Sequence, residues 1–166
     1  MKSWLLDTNT LVYAINRQGG VRDRINVAAL EGRLFTSTIV VSELLFGAER
    51  SRHPDDNRRE VHRTIARLSV LPFDLRAAEH LARLRALFED ARRRRPRIDL
   101  MIAAQALAAS AALVSHDDDL LAHPIAGPGR RRLVHTAESL TSSPTRPSEP
   151  NSHHRLKAVG FSAPVA

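Results

Sequence analysis

Short apolar runs that stop at an acid constrain this chain more than any other feature. Trp4-Leu5-Leu6 ends at Asp7, and Thr8-Asn9-Thr10 then opens a helical pattern through Leu11, Val12, Ala14 and Ile15. Ala112-Leu113-Val114 repeats the arrangement, leading through Ser115-His116 into Asp117-Asp118-Asp119. Buried strands of parallel sheets read as continuous apolar runs, and in open α/β sheets ligands bind beyond the strands' carboxyl ends. Both Asp7 and Asp117 are therefore expected at that edge.

Two further acids interrupt apolar helical segments. Glu43 falls inside Ile39-Val40-Val41-Ser42-Glu43-Leu44-Leu45-Phe46, where a carboxylate partly withdrawn from water needs a cation, hydrogen bonds or a metal as partner. Asp99 opens Leu100-Met101-Ile102-Ala103-Ala104, a position where the helix macrodipole favours negative charge. Singly, each acid has a plainer role: Asp7 as a helix cap, Asp99 as a first-turn acid, Glu43 in a polar stripe with Glu49 and Arg50, Asp117 in a solvated turn. Jointly, two strand ends and two helix positions point to a converging acidic site.

The remaining pattern alternates between strand and helix. Strands are expected at 3–7, 34–37, 70–72, 112–115 and near Leu133-Val134-His135. Helices are expected at 9–16, 22–31, 39–51, through Val61, Ile65 and Leu68 after a break at His53-Pro54-Asp55-Asp56, at 75–94, and from Asp99 onward. The fold class is α/β, with a parallel sheet between helical layers. Gly19-Gly20 reads as a loop, and no Gly-rich phosphate loop is present.

These four segments resemble the motifs of PIN-domain ribonucleases, especially VapC-type toxins of toxin–antitoxin pairs. Trp4 to Val12 looks like the first motif, and Thr36 to Gly47 resembles the Ser/Thr segment with its glutamate and following glycine. Ile98 to Leu107 is similar to the third acidic motif, and Leu113 to Leu120 to the last, covering residues 2 to 138 in all. Ser115-His116 stands where Thr-Asn is commoner, and Leu120 where an aromatic residue is frequent. Asp117 aligns best as the fourth acid, with Asp118 or Asp119 as alternatives. The resemblance implies a PIN-like α/β/α sandwich with a short, mostly parallel central sheet, and catalytic residues Asp7, Glu43, Asp99 and Asp117. It also implies metal-dependent endonucleolytic hydrolysis of RNA, a VapB-like antitoxin as partner, and a homodimer.

The chemistry of the residues agrees. The chain has no cysteine, which excludes thiolate catalysis and Cys-based zinc sites, and its eight histidines show no HxxxH or HExxH spacing. His116 is expected to be a turn residue rather than a base. All-oxygen ligands suit Mg²⁺ or Mn²⁺. In the scheme the resemblance implies, Asp7, Asp99 and Asp117 hold metal, while Glu43 ligates it or orients the attacking water. Thr8, Asn9 and Ser115 lie beside the acids, either as hydrogen-bond partners of the carboxylates and scissile phosphate or as turn and cap residues.

Charge and composition add a weaker argument. The net charge is +7, and all but Lys2 and Lys157 of the 25 basic residues are arginine. Basic surfaces attract phosphate backbones through counterion release, and Arg92-Arg93-Arg94-Arg95-Pro96-Arg97 and Arg130-Arg131-Arg132 are the densest runs. With 4% aromatic residues, base stacking is not expected to supply most of the affinity. No segment reaches the ~18 apolar residues of a membrane span, and no signal-peptide core follows Lys2, so a cytoplasmic protein is expected. Residues 1–140 are expected to form the nuclease domain, itself basic at +5, and the Pro/Ser-rich residues 141–166 a disordered tail.

Two alternatives remain at this level. A catalytically inactive PIN-fold RNA-binding or scaffold protein would keep the fold without the cleavage. A haloacid-dehalogenase-type phosphatase would explain Asp7-Thr8-Asn9-Thr10 through its DxDxT motif, although Asn9 stands where that motif needs a second aspartate. Exposed apolar side chains from Val40 to Phe46 are expected to receive the protein partner.

Overall fold

The structure, a computed structural model, describes residues 2–90, 97–116 and 134–135. Five parallel strands form the sheet: β1 (Lys2–Leu6), β2 (Gly32–Ser37), β3 (Ser69–Leu71), β4 (Ala112–Val114) and β5 (Val134–His135), in the order β3-β2-β1-β4-β5. Six helices surround it: α1 (Thr8–Ile15), α2 (Val21–Glu31), α3 (Thr38–Glu49), α4 (Pro54–Ile65), α5 (Leu75–Asp90) and α6 (Arg97–Ala108).

β1 is central because its residues can be buried on both faces. Trp4, Leu5 and Leu6 are all buried, and they pair with Leu34 and Phe35 on one side and with Ala112, Leu113 and Val114 on the other. The β1–β2 approach requires Gly32, since a Cβ there would lie 2.3 Å from the Lys2 carbonyl oxygen. β3 lies at the sheet edge with Ser69 and Val70 exposed, where a short strand suffices. The core runs through Leu11, Val40, Leu44, Val61, Leu84, Ile102, Ala103, Ala104 and Ala106, which close the helices onto the sheet.

Every expected element is present among the described residues, with shifted ends. β1 stops at Leu6 because Asp7 leaves the strand to cap α1, and β2 starts two residues earlier than expected, at Gly32. Pro54-Asp55-Asp56 does not break the chain before α4 but begins it. Proline sits in the first turn, where its missing N–H costs nothing, and the two aspartates meet the helix dipole. α4 ends at Ile65, so Leu68 packs on the core from the following turn.

α1 and α6 end alike. Gln18 N–H donates to the Tyr13 carbonyl and Arg17 N–H to that of Ala14, while Ala111 N–H donates to Ala106 and Ser110 N–H to Leu107. Both are Schellman closures, with Arg17 (φ 54°) and Ser110 (φ 52°) in the left-handed region where glycine is usual. The second turn is tight enough to send the chain straight from α6 into β4. α6 therefore runs antiparallel to β4, and its first turn lies toward the sheet's carboxyl edge.

The expected surplus of exposed side chains from Val40 to Phe46 is not found. Val40 and Leu44 are fully buried against the core, Val41 and Leu45 are half-buried, and of the apolar side chains in this stretch only Phe46 is exposed, at 50%. The more exposed apolar residues lie elsewhere, with Leu30 on α2 at 89% and Leu75 on α5 at 76%. No helix among the described residues is long and apolar enough to cross a membrane. The expected tail, the Arg92–Arg95 and Arg130–Arg132 clusters and the acids Asp117, Asp118 and Asp119 lie outside the described residues.

Candidate active site

The chain turns back on itself at β1. β2 and β3 are laid down to one side and β4 and β5 to the other, so the crevice of the sheet opens beyond the carboxyl ends of β1 and β4. Asp7 stands at that point. Its backbone N–H donates to the Val114 carbonyl (3.1 Å), and the residue is 6% exposed. Asp7 Oδ1 accepts the Thr10 N–H at 2.7 Å, so one carboxylate caps α1 and is fixed at the strand switch. The cap and the crevice are not competing roles. The capping bond engages Oδ1 of a residue that itself stands where the crevice opens.

Glu43 reaches the same place from α3. Ser37, the last residue of β2, caps α3 through its hydroxyl, which accepts the Val40 N–H at 3.1 Å. Thr36 donates to the Leu6 carbonyl (3.3 Å), joining the ends of β1 and β2. From that anchored start, Glu43 lies half-buried in the second turn and accepts a hydrogen bond from the Thr8 hydroxyl at 2.7 Å. Thr8 adjoins Asp7, so this bond brings two acids 36 residues apart in sequence to one edge. A partly buried carboxylate gains more from such a hydroxyl than an exposed one, because competing water is reduced.

Thr10 and His116 complete the described lining. The Thr10 hydroxyl, fully buried, lies 3.1 Å from the Val114 carbonyl oxygen and 3.4 Å from His116 Nδ1. The ring of Tyr13, one turn further along α1, stacks on that of His116, centroids 4.7 Å apart and planes 14° from parallel. Ser115, between Val114 and His116, is fully buried. Asn9 is half-buried. His116 is thus more than the turn residue expected of it, and Thr10 and Tyr13 were not singled out at all. The available sign was a threonine three residues past a capping aspartate, on the helix face turned toward the sheet.

Asp99 lies in the first turn of α6, half-buried, at the end of the helix that faces the sheet's carboxyl edge. α6 packs against α3, the helix that carries Glu43. Among the described residues, no three His, Asp or Glu side chains form a group ready to hold an ion. Asp7 and Glu43 are joined through Thr8, and Asp99 shares their end of the sheet without closing a group of three. The donors present are carboxylate and hydroxyl oxygens, with a buried Asp7 held at one oxygen by a neutral N–H. That set fits a hard divalent cation and not a soft one.

The chain matches the PIN domain family over residues 4–125. It is 34% identical over 120 residues to the tRNA(fMet)-specific endonuclease VapC of Shigella flexneri, covering 70% of this chain and 88% of that protein. Among solved structures, it resembles the DNA-bound VapBC of Salmonella typhimurium, with a TM-score of 0.72 and 31% identity over 82% of this chain and 99% of that one. VapBC2 of Rickettsia felis, bound to a fragment of its promoter DNA, gives the same TM-score at 25% identity, covering 80% and 97%.

Proposed function

Because this chain belongs to the PIN-domain family, with VapC-type toxins among its relatives, we propose that it is an endoribonuclease toxin whose hydrolysis depends on Mg²⁺ or Mn²⁺. The reading rests above all on Asp7, a buried carboxylate capping α1 at the strand switch and linked through Thr8 to Glu43. Asp7, Asp99 and Asp117 would hold the metal, and Glu43 would ligate it or orient water. When bound, the cation lowers the pKa of water and offsets charge on the phosphodiester. The protein's own part is positional. Thr10 N–H fixes Asp7, Thr8 fixes Glu43, and the N-terminal turns of α1, α3 and α6, which favour anions, face the crevice that would receive the phosphate backbone. Membership of the PIN family sets aside the phosphatase alternative.

The relatives solved as VapBC complexes support a VapB-like antitoxin as partner, and we extend the same reading to a homodimer acting in the cytoplasm. The test is growth: expression of the chain alone should arrest it, Asp7→Asn should not, and co-expression of the neighbouring antitoxin gene should restore it. A folded, metal-loaded protein that leaves growth unaffected and generic RNA uncut would overturn the reading.

A further inference from the structure

We infer that Thr10 is a positioning residue for the site, fixing Asp7 against the end of β4 through a clamp it forms with His116 and Tyr13; the inference rests on the proposed metal-dependent reading of Asp7. Three observations on described residues carry it.

First, Thr10 has two separate attachments. Its backbone N–H holds Asp7 Oδ1 at 2.7 Å, while its hydroxyl lies 3.1 Å from the Val114 carbonyl oxygen, 104 residues away. A threonine hydroxyl within a helix ordinarily bonds back to a carbonyl three or four residues earlier, which would be Asp7 or Leu6 here. This one crosses to another strand. Second, the hydroxyl meets two groups from beyond its own helix: it donates to the Val114 carbonyl oxygen, and its oxygen lies 3.4 Å from His116 Nδ1. Third, the imidazole is held from its face by Tyr13, whose ring stacks on it at 4.7 Å. Offset stacking of this kind adds orientation beyond buried area.

The fold alone does not need this clamp. Val114 O already receives the Asp7 N–H at 3.1 Å, so the last rung between β1 and β4 is closed without Thr10. The second donor on the same carbonyl and the stacked imidazole instead tie the first turn of α1 to the residues following β4. They do so at the end of the sheet where Asp7 emerges. A carboxylate that must meet a cation with a spread of a few tenths of an ångström gains from such support, and partners of that type are typically worth ~10–100-fold in metal affinity or activity.

Thr10→Val keeps the shape and the backbone N–H to Asp7 while deleting the hydroxyl. In the full-length chain it is expected to raise the Kd for Mn²⁺, measured by calorimetry on the apo protein, by about 10-fold. It should lower kcat on single-stranded RNA by ~10–100-fold with KM within about threefold. Thr10→Ser, which restores the hydroxyl, should recover both. A Thr10→Val protein with Mn²⁺ Kd and kcat within about twofold of the parent, beside an inactive Asp7→Asn, would overturn the clamp and leave the ribonuclease reading standing. So would losses that Thr10→Ser does not recover. If the parent itself cuts no RNA, the ribonuclease reading fails and Mn²⁺ affinity alone decides the clamp. Should Thr10→Val not fold, Tyr13→Leu removes the stack with Thr10 in place, and an unchanged Mn²⁺ Kd in that variant would equally overturn the inference.

Discussion

The acids of α4 and those at the end of β1 are held in opposite ways. On α4, Asp55 pairs with Arg58, Asp56 with Arg59 and Glu60 with Arg63, each three residues apart on a solvent-facing helix, and Glu49 of α3 adds a second partner to Arg58 at 2.5 Å. Glu49, by hydrogen bond and by charge, holds the Arg58 guanidinium above its ordinary value, so it stays protonated throughout. Asp7 and Glu43, by contrast, accept from an amide N–H and a hydroxyl. Neutral donors orient a carboxylate and leave its charge in place; arginines cancel it. The arginines of α4 are engaged with surface acids, while Thr8 and Thr10 hold Glu43 and Asp7 at the crevice.

The contrast breaks most sharply at Asp7. Asparagine caps helices as well as aspartate does, so Asp7→Asn should keep α1 while removing the charge. RNA cleavage is expected to fall by about two to three orders of magnitude, a loss of the size seen when one charge-stabilising group leaves an active site. The melting temperature without metal should be equal or higher, because crowded acids repel one another. Calorimetry in EDTA together with a cleavage assay checks both halves.

Removing the neutral donor sharpens the same comparison. Thr8→Val leaves Glu43 half-buried without its 2.7 Å hydroxyl, and cleavage should drop by ~10–100-fold. Denaturant melts should show a cost of about 1 kcal/mol for the lost hydrogen bond. A change confined to stability would place Glu43 outside the reaction.

Effects on stability alone come next. Ser110→Gly relieves a left-handed residue at the α6–β4 turn, a strain of about 1–2 kcal/mol, less the entropy that glycine loses on folding. A net gain of about 0.5 kcal/mol in urea unfolding is expected, with cleavage unchanged. On α4, Arg59→Ala breaks an ion pair whose two side chains are both about two-thirds exposed, and should shift stability by less than about 0.5 kcal/mol without touching cleavage. A large loss of activity there would show that the arginines of α4 serve the RNA and not merely their own acids.

The order and type of the described elements were legible in the sequence because apolar period and apolar run length carry that signal directly. Trp4-Leu5-Leu6 and Ala112-Leu113-Val114 could only be buried strands once helical patterns followed or preceded them. Ends were less legible, since they depend on caps. Asp7 belongs to the helix it starts and not to the strand, and Pro54 begins α4 where it was expected to interrupt it. The surplus apolar face expected from Val40 to Phe46 failed for a similar reason: α3 is packed between the sheet and its neighbours, so an apolar run there is core. Of the site, Asp7 and Glu43 were legible as acids in apolar surroundings. Thr10, Tyr13 and His116 were not, because their roles come from a contact across more than a hundred residues that no local pattern encodes. Gln105 belongs with them: it is buried on α6, donates to the Leu71 carbonyl at 3.1 Å, and its Oε1 has no partner among the described residues.

The proposed function would place a divalent cation at the carboxyl edge of β1, and a paired titration tests that proposal most directly. Purified full-length protein and its Asp7→Asn variant, both stripped with EDTA, would be titrated with Mn²⁺ while cleavage of a generic single-stranded RNA is followed. Saturable, EDTA-reversible cleavage by the parent and none by the variant at the same Mn²⁺ concentrations is the predicted result. Equal cleavage by the two proteins, or cleavage by the parent that EDTA leaves untouched, would contradict it.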